Sequence, residues 1–190
     1  MSERRDELVK KALDYFLEHG VAGLSLRPLA DEIGTSARLL VYHFGSKDAL
    51  IAAVMEELQA RIQKSFVRLV SDSATKKTAG LMPAFWAWTI HPANIRYIRL
   101  LFEAQILAAQ NPTAYEHHLK GSSAGWLDLI EASLPASNEK RMIATLCAAV
   151  VDGLLFEYLA TRDKKRTTEA LDYFNRLFLV PEVQRKRASK

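Results

Sequence analysis

The chain has one cysteine, Cys147, so an intrachain disulfide framework is excluded. No segment reads as long and apolar enough for a membrane span. Its start, MSERRDELVKKALDYF, is amphipathic and lacks the apolar centre and cleavage site of a secretory signal. These absences point to a cytoplasmic protein without membrane contacts. The chain also lacks HExxH, Glu-x-x-His and a glycine-rich phosphate loop. Glu116, His117 and His118 are consecutive and fan around a helix rather than converge. Neither a metal nor a cofactor is expected, and no residue supports catalysis. Cys147 sits in an apolar run and reads as inert. Positive charge is scarce where it would be most telling. Residues 1–50 hold seven Lys/Arg against eight Asp/Glu. Of the net +4, the last ten residues, PEVQRKRASK, carry +3. Any nucleic-acid reading must therefore rest on where single cations sit. The tail 181–190 reads as a basic, disordered end.

What is present is helix. Hydrophobic residues make up 49% of the 190, enough for a core, and they recur every three or four positions. There is no strand alternation and no internal repeat. Helices are expected over about 4–19, 26–33, 37–44, 47–70, a segment with Phe85 to Ile90, 93–109, 112–134, 139–161 and 167–179.

The stretch from Ser25 to Leu50 is the most informative. Ser25 can cap a short helix with Arg27 and Pro28 in its first turn, where proline is tolerated. Leu29 and Ile33 face inward, and Gly34 suits the turn out of helix. Ser36 can cap a second helix, on which Ala37, Leu40, Val41 and Phe44 gather on one side. Arg38, Leu39 and Tyr42 point the other way, with His43 at the edge. Two helices crossing at a short turn form a helix-turn-helix. Exposed Leu, Tyr and Arg suit a DNA groove, where apolar groups meet thymine methyls and Arg meets guanine. Ser46 can cap the next helix. With Lys47 at its first position, that helix start is a phosphate site.

Gly20 to Leu50, and above all His43-Phe44-Gly45-Ser46-Lys47-Asp48-Ala49-Leu50, resembles the DNA-binding domain of the TetR (tetracycline repressor) family. The family usually has an aromatic two places before the histidine. Here that place holds Val41, and the tyrosine is Tyr42. The resemblance implies an all-α fold, a three-helix head followed by a roughly six-helix bundle. It divides the chain into a DNA-binding domain, 1–47, and a ligand-binding and dimerisation domain, 48–180. It implies double-stranded operator DNA as a partner, contacted by Arg27, Ser36, Ala37, Arg38, Leu39, Tyr42, His43 and Lys47.

The body carries two further expectations. The eighth helix is apolar on two sides, so it is buried on two sides. That describes either the centre of a monomeric bundle or a dimer face. The resemblance favours a homodimer through Val150, Val151, Leu154, Leu155, Tyr158, Phe174 and Phe178. Aromatics at helical spacing are usually core, yet a TetR-like body also holds an apolar cavity. Trp86, Trp88, Phe102, Trp126 and Phe156 are candidates to line one. Glu103 and Asp152 are carboxylates in apolar stretches; most such groups are paired, here with Arg96 or Arg99, or reach solvent, and a minority mark a pocket. The expected function is transcriptional repression, released by a small, largely apolar effector of unknown identity. The alternatives are a helical DNA-binding or interaction dimer without an effector, and a ligand-binding all-α enzyme.

Overall fold

The structure, a computed structural model, describes residues 3–71, 81–134 and 138–178, without the side chains of residues 117–124 and 178. Among the described residues every regular element is a helix: α1 (Glu3–His19), α2 (Leu26–Glu32), α3 (Ala37–Phe44), α4 (Lys47–Ser71), α5 (Leu81–Thr89), α6 (Ile95–Gln110), α7 (Glu116–Ser133), α8 (Lys140–Thr161) and α9 (Lys164–Phe178). The basic tail and the 72–80 segment lie outside the described residues. The chain packs as two compact units. One draws on residues up to Ser65 and on Pro92–Trp126, the other on Phe66–His91 and on Leu127 onward. The domain boundary expected at residue 47 does not follow this packing division, because α6 packs with α1.

In the first unit, α1 turns Leu8, Val9, Ala12, Leu13, Phe16 and Leu17 into the core. It ends at Gly20, whose φ of +77° an L side chain rarely adopts. α2 closes as a Schellman turn: Thr35 N–H donates to Ala30 O at 2.8 Å and Gly34 N–H to Asp31 O at 3.4 Å. Ser36 then caps α3, its Oγ accepting from Leu39 N–H at 3.2 Å. Ser46 does the same for α4, accepting from Ala49 N–H at 3.1 Å. Ser25 precedes α2 in extended backbone, but its side chain makes no capping bond. The expected cap is therefore only positional there.

One hydroxyl in this unit is poorly served. Thr35 Oγ1 is buried, and no partner for it occurs among the described residues. A hydroxyl buried without a partner costs about 1–3 kcal/mol. Thr35→Val keeps the shape and removes the hydroxyl. It should raise unfolding free energy by about 1 kcal/mol, read as a higher denaturant midpoint with unchanged slope.

Polar contacts bind α6 to the end of α1. Arg99 Nη2 donates to Leu17 O at 2.9 Å. Glu103 Oε2 accepts from Val21 N–H at 3.0 Å, and Arg99 also pairs with Glu103 at 3.5 Å. Beyond α6, Tyr115 is buried and donates to Asp48 Oδ1 at 3.1 Å. Burial, then the Asp48 carboxylate, pushes the phenol far above its ordinary value. Glu103, a candidate pocket carboxylate, is thus engaged by the Val21 N–H just past α1 and by Arg99.

In the second unit, Trp86 is buried and its Nε1–H donates to Thr168 Oγ1 at 2.9 Å. Phe66 meets Phe85 edge-on at 5.1 Å, and Phe85 stacks on Trp88 at 6.0 Å. α9 starts three residues earlier than Thr167, because Asp163 Oδ1 accepts from Arg166 N–H at 3.0 Å and caps it. Val151 and Leu155 are buried within the chain itself. Two of the α8 residues expected at a partner face are thus covered within the chain, while Val150, Leu154 and Tyr158 are half-buried. The exposed apolar residues are others: Met142, Leu146 and Phe156 on α8, and Tyr173 and Leu177 on α9. Cys147 is buried, and desolvation raises its thiol, in keeping with an inert role.

One sequence expectation is corrected here. α8 is long and apolar enough to cross a membrane, by length and composition alone. Its most apolar stretch has a mean hydropathy of 1.7, with only 22% of that stretch buried.

Candidate DNA-contacting surface and ligand-contacting residues

α3 is eight residues long, so its outer face can be placed residue by residue. At about 100° per residue, Leu40, Phe44 and Ala37 fall on one side. Leu40 and Phe44 are buried there, and Ala37 is half-buried. The Arg5 guanidinium lies over the Phe44 ring, 4.9 Å from its centroid. Moving around the helix from Ala37, the next positions are Val41, Arg38, Tyr42 and Leu39. All four are exposed. Val41 was grouped with the buried side by sequence pattern. It is 43% exposed, whereas Leu40 and Phe44 are buried. Tyr42 is the most exposed large apolar residue recorded, at 79%. Its ring meets His43 edge-on at 5.2 Å, and His43 is half-buried.

Cations and hydroxyls flank this face. Ser36 and Ser46 use an oxygen lone pair in capping, so each hydroxyl hydrogen stays available to an anion. Lys47 is exposed, and its Nζ donates to Leu24 O at 3.3 Å. That bond leaves two of the three ammonium hydrogens for another acceptor. Arg27 is exposed on α2 and Arg38 on α3. The structure therefore brings all eight residues expected at DNA into the first unit. It adds Val41, which the exposure of α3 identifies and the helical wheel alone did not.

The expected ligand-contacting residues divide differently. Phe102, Glu103 and Trp126 belong to the first unit; Trp86, Trp88, Asp152 and Phe156 belong to the second. Trp86 is core, Phe156 is exposed, and Phe102, Trp88 and Trp126 are half-buried. A crevice in the first unit, lined by Phe16, Val21, Val54, Met55, Leu58, Leu100 and Ala104, has no room for a water molecule and includes none of them. Of the expected dimer residues, Val150, Leu154, Tyr158 and Phe174 are half-buried, and the Phe178 side chain lies outside the described residues. The same holds for His117 and His118. One cluster of donor atoms occurs elsewhere: Glu18, His19 and Glu32, all exposed. Its His19–Glu32 contact of 3.3 Å is a hydrogen bond between the end of α1 and α2.

Asp152 is crowded by apolar groups although it keeps exposed surface. Desolvation raises its carboxyl from 3.8 to about 6. An acid raised in the folded state holds its proton more tightly when folded. Its contribution is therefore favourable at low pH and is lost as pH rises from about 4 to about 6. Contact with water keeps the effect small. Asp152→Asn should remove this fall, so thermal midpoints of variant and parent should diverge as pH rises through that window.

Comparison with known proteins agrees with this geometry. Residues 8–54 match the family described as bacterial regulatory proteins, tetR family. The HTH-type nicotine-responsive transcriptional repressor HdnoR of Paenarthrobacter nicotinovorans is 27% identical over 182 residues, 90% of this chain and 91% of that protein. The multidrug binding protein EbrR, solved with imidazole and with ethidium, is 25% identical with a TM-score of 0.66. The imidazole complex covers 96% of this chain and 93% of EbrR; the ethidium complex covers 89% and 96%. The fold also matches a TetR-family regulator from Rhodococcus sp. at 20% identity and a TM-score of 0.71, over 95% of this chain and 100% of that one.

Proposed function

We propose that the chain is a member of the TetR family of bacterial regulatory proteins and that it represses transcription as a homodimer on a palindromic operator. It is a DNA-binding transcriptional regulator, not an enzyme. The observation that carries the proposal is the exposed face of α3, set between the two capped helix starts at Ser36 and Ser46. Helix starts and Lys47 hold phosphates; the α3 face meets base edges. Residues 1–47 form the DNA-binding domain and 48–180 the sensing and pairing domain. The protein works in the cytoplasm, where the chromosome is.

The partner face is the outer side of α8 and α9. Met142, Leu146, Ala149, Gly153 and Phe156 recur at alternating steps of four and three, and all are exposed. That is the seam of two packed helices. A Cβ built at Gly153 meets nothing within 4 Å, so a neighbouring helix can approach there. A second copy suits this face better than lipid, because Asp152 and Glu157 are exposed beside it and carboxylates are costly in a bilayer.

The effector is a small nitrogen heteroaromatic. Nicotine, ethidium and imidazole, which appear with its relatives, all have this chemistry. The stacked Phe85 and Trp88 offer a π-face, and the half-desolvated Asp152 offers a charge partner. α4 runs unbroken from Lys47 to Ser71, so displacement of its far end by a ligand reaches the phosphate site. Such coupling is typically about 1–3 kcal/mol, roughly 5–150-fold.

The functional test begins with selection of a palindromic operator from random DNA. Arg38→Ala should weaken that operator by about 1–3 kcal/mol and relax preference at one base per half-site. Lys47→Ala should weaken all sequences alike and flatten the salt slope. Failure to enrich any sequence sinks the reading. Ethidium and nicotine are the first effector probes, titrated with and without operator while tryptophan fluorescence is followed. Equal affinity in both titrations would leave a DNA-binding dimer without these effectors.

A further inference from the structure

The outward arc of α3 has an unusual make-up. Around about 160° of helix surface it presents Val41, Arg38, Tyr42 and Leu39, one cation among three large apolar side chains. Leu39 is 47% exposed, Val41 43% and Tyr42 79%. Single exposed apolar residues are ordinary, but three on one arc of a two-turn helix, with a lone cation among them, mark a contact surface. That surface has few groups able to read base edges by hydrogen bonds. Ser36 Oγ already accepts from Leu39 N–H, and Lys47 Nζ already donates to Leu24 O. The Tyr42 hydroxyl is the one other polar group on the arc. A base edge that satisfies aliphatic side chains must itself be apolar. In the major groove only thymine offers this, through its C5-methyl.

We propose that the chain reads its operator chiefly through thymine methyl groups, packed against Leu39, Val41 and the Tyr42 ring, with Arg38 supplying one guanine contact. On the helix Arg38 lies between Val41 and Tyr42, so each half-site has a guanine with thymines on both sides. Val41 is a specificity-determining residue for this recognition. The inference rests on the DNA-regulator reading and says which chemistry in the groove supplies its discrimination.

The test uses the full chain and the operator enriched from random DNA. Thymines are replaced by deoxyuridine one position at a time, in both half-sites together. This exchange removes only the methyl and keeps every Watson–Crick and groove hydrogen-bonding group. Burying one methyl is worth about fourfold in affinity, so a paired replacement should weaken binding roughly 15-fold. Val41→Ala should abolish the penalty at one thymine position and leave the others. Leu39→Ala should do so at a different position. Both side chains are exposed, so neither change disturbs the core, and circular dichroism verifies this. An operator that enriches yet binds equally well with deoxyuridine throughout would overturn the inference and leave the regulator reading standing. Uniform weakening by Val41→Ala, with every deoxyuridine penalty intact, would also overturn the role of Val41. No enrichment at all would overturn both.

Discussion

Leu146→Glu and Phe156→Glu should each leave the chain helical and monomeric. Both side chains are more than half exposed in the single chain, so a charge there meets water until a second copy arrives. On pairing, the same charge would be buried without a partner, which costs several kcal/mol. Operator affinity should fall by about 10²–10⁴-fold, because linkage of two half-site contacts is lost. Val151→Glu and Leu155→Glu should behave differently. Those side chains are buried in the chain's own core, so a carboxylate there should unfold the second unit rather than dissociate a dimer. Sedimentation velocity with circular dichroism separates the outcomes. If Leu146→Glu and Phe156→Glu remain dimeric, this face does not pair. A monomeric parent chain at micromolar concentration would reject the dimer itself.

Gly20→Ala should be the most damaging small substitution in the first unit. Two costs combine. The backbone φ is +77°, a region that costs an L-residue roughly 1–2 kcal/mol. The new Cβ would also lie 2.7 Å from Glu103 Oε2. The carboxylate must move, and its bond from Val21 N–H weakens with it, adding about 1 kcal/mol or more. A loss of about 2–4 kcal/mol follows, measured by denaturant unfolding. Glu103→Ala alone loses the bond from Val21. In the double variant the clash is gone, so the two losses should not add. Strict additivity would show that Gly20 and Glu103 do not act on each other. Operator affinity offers a second readout, since this contact holds the segment that precedes α2.

Much of the protein was legible in the chain. Helix periods of three and four placed the helices within a few residues, because each buries one stripe and the stripe repeats with the turn. Gly34 and Ser36 marked the end of α2 and the start of α3, because caps and left-handed turns act on neighbouring residues. The motif from His43 to Leu50 carried the family for the same reason: its residues are adjacent in sequence and act together.

What stayed hidden were the choices made by distant neighbours. A wheel shows that α8 has two apolar sides. Only packing decided that Val151 and Leu155 turn inward while Leu146 and Phe156 face out. The same holds for Val41, left exposed beside the buried Leu40 and Phe44. Glu103 could be read as paired with Arg99, one turn away, and it is; its bond from Val21 N–H, 82 residues away, could not. Local sequence determines which conformation a segment adopts and which side chains share a face, because those follow from bonds and turns within a few residues. Which of two apolar faces meets the chain's own core, and which partner satisfies a carboxylate, depends on elements brought together from far along the chain. The tertiary structure alone decided those.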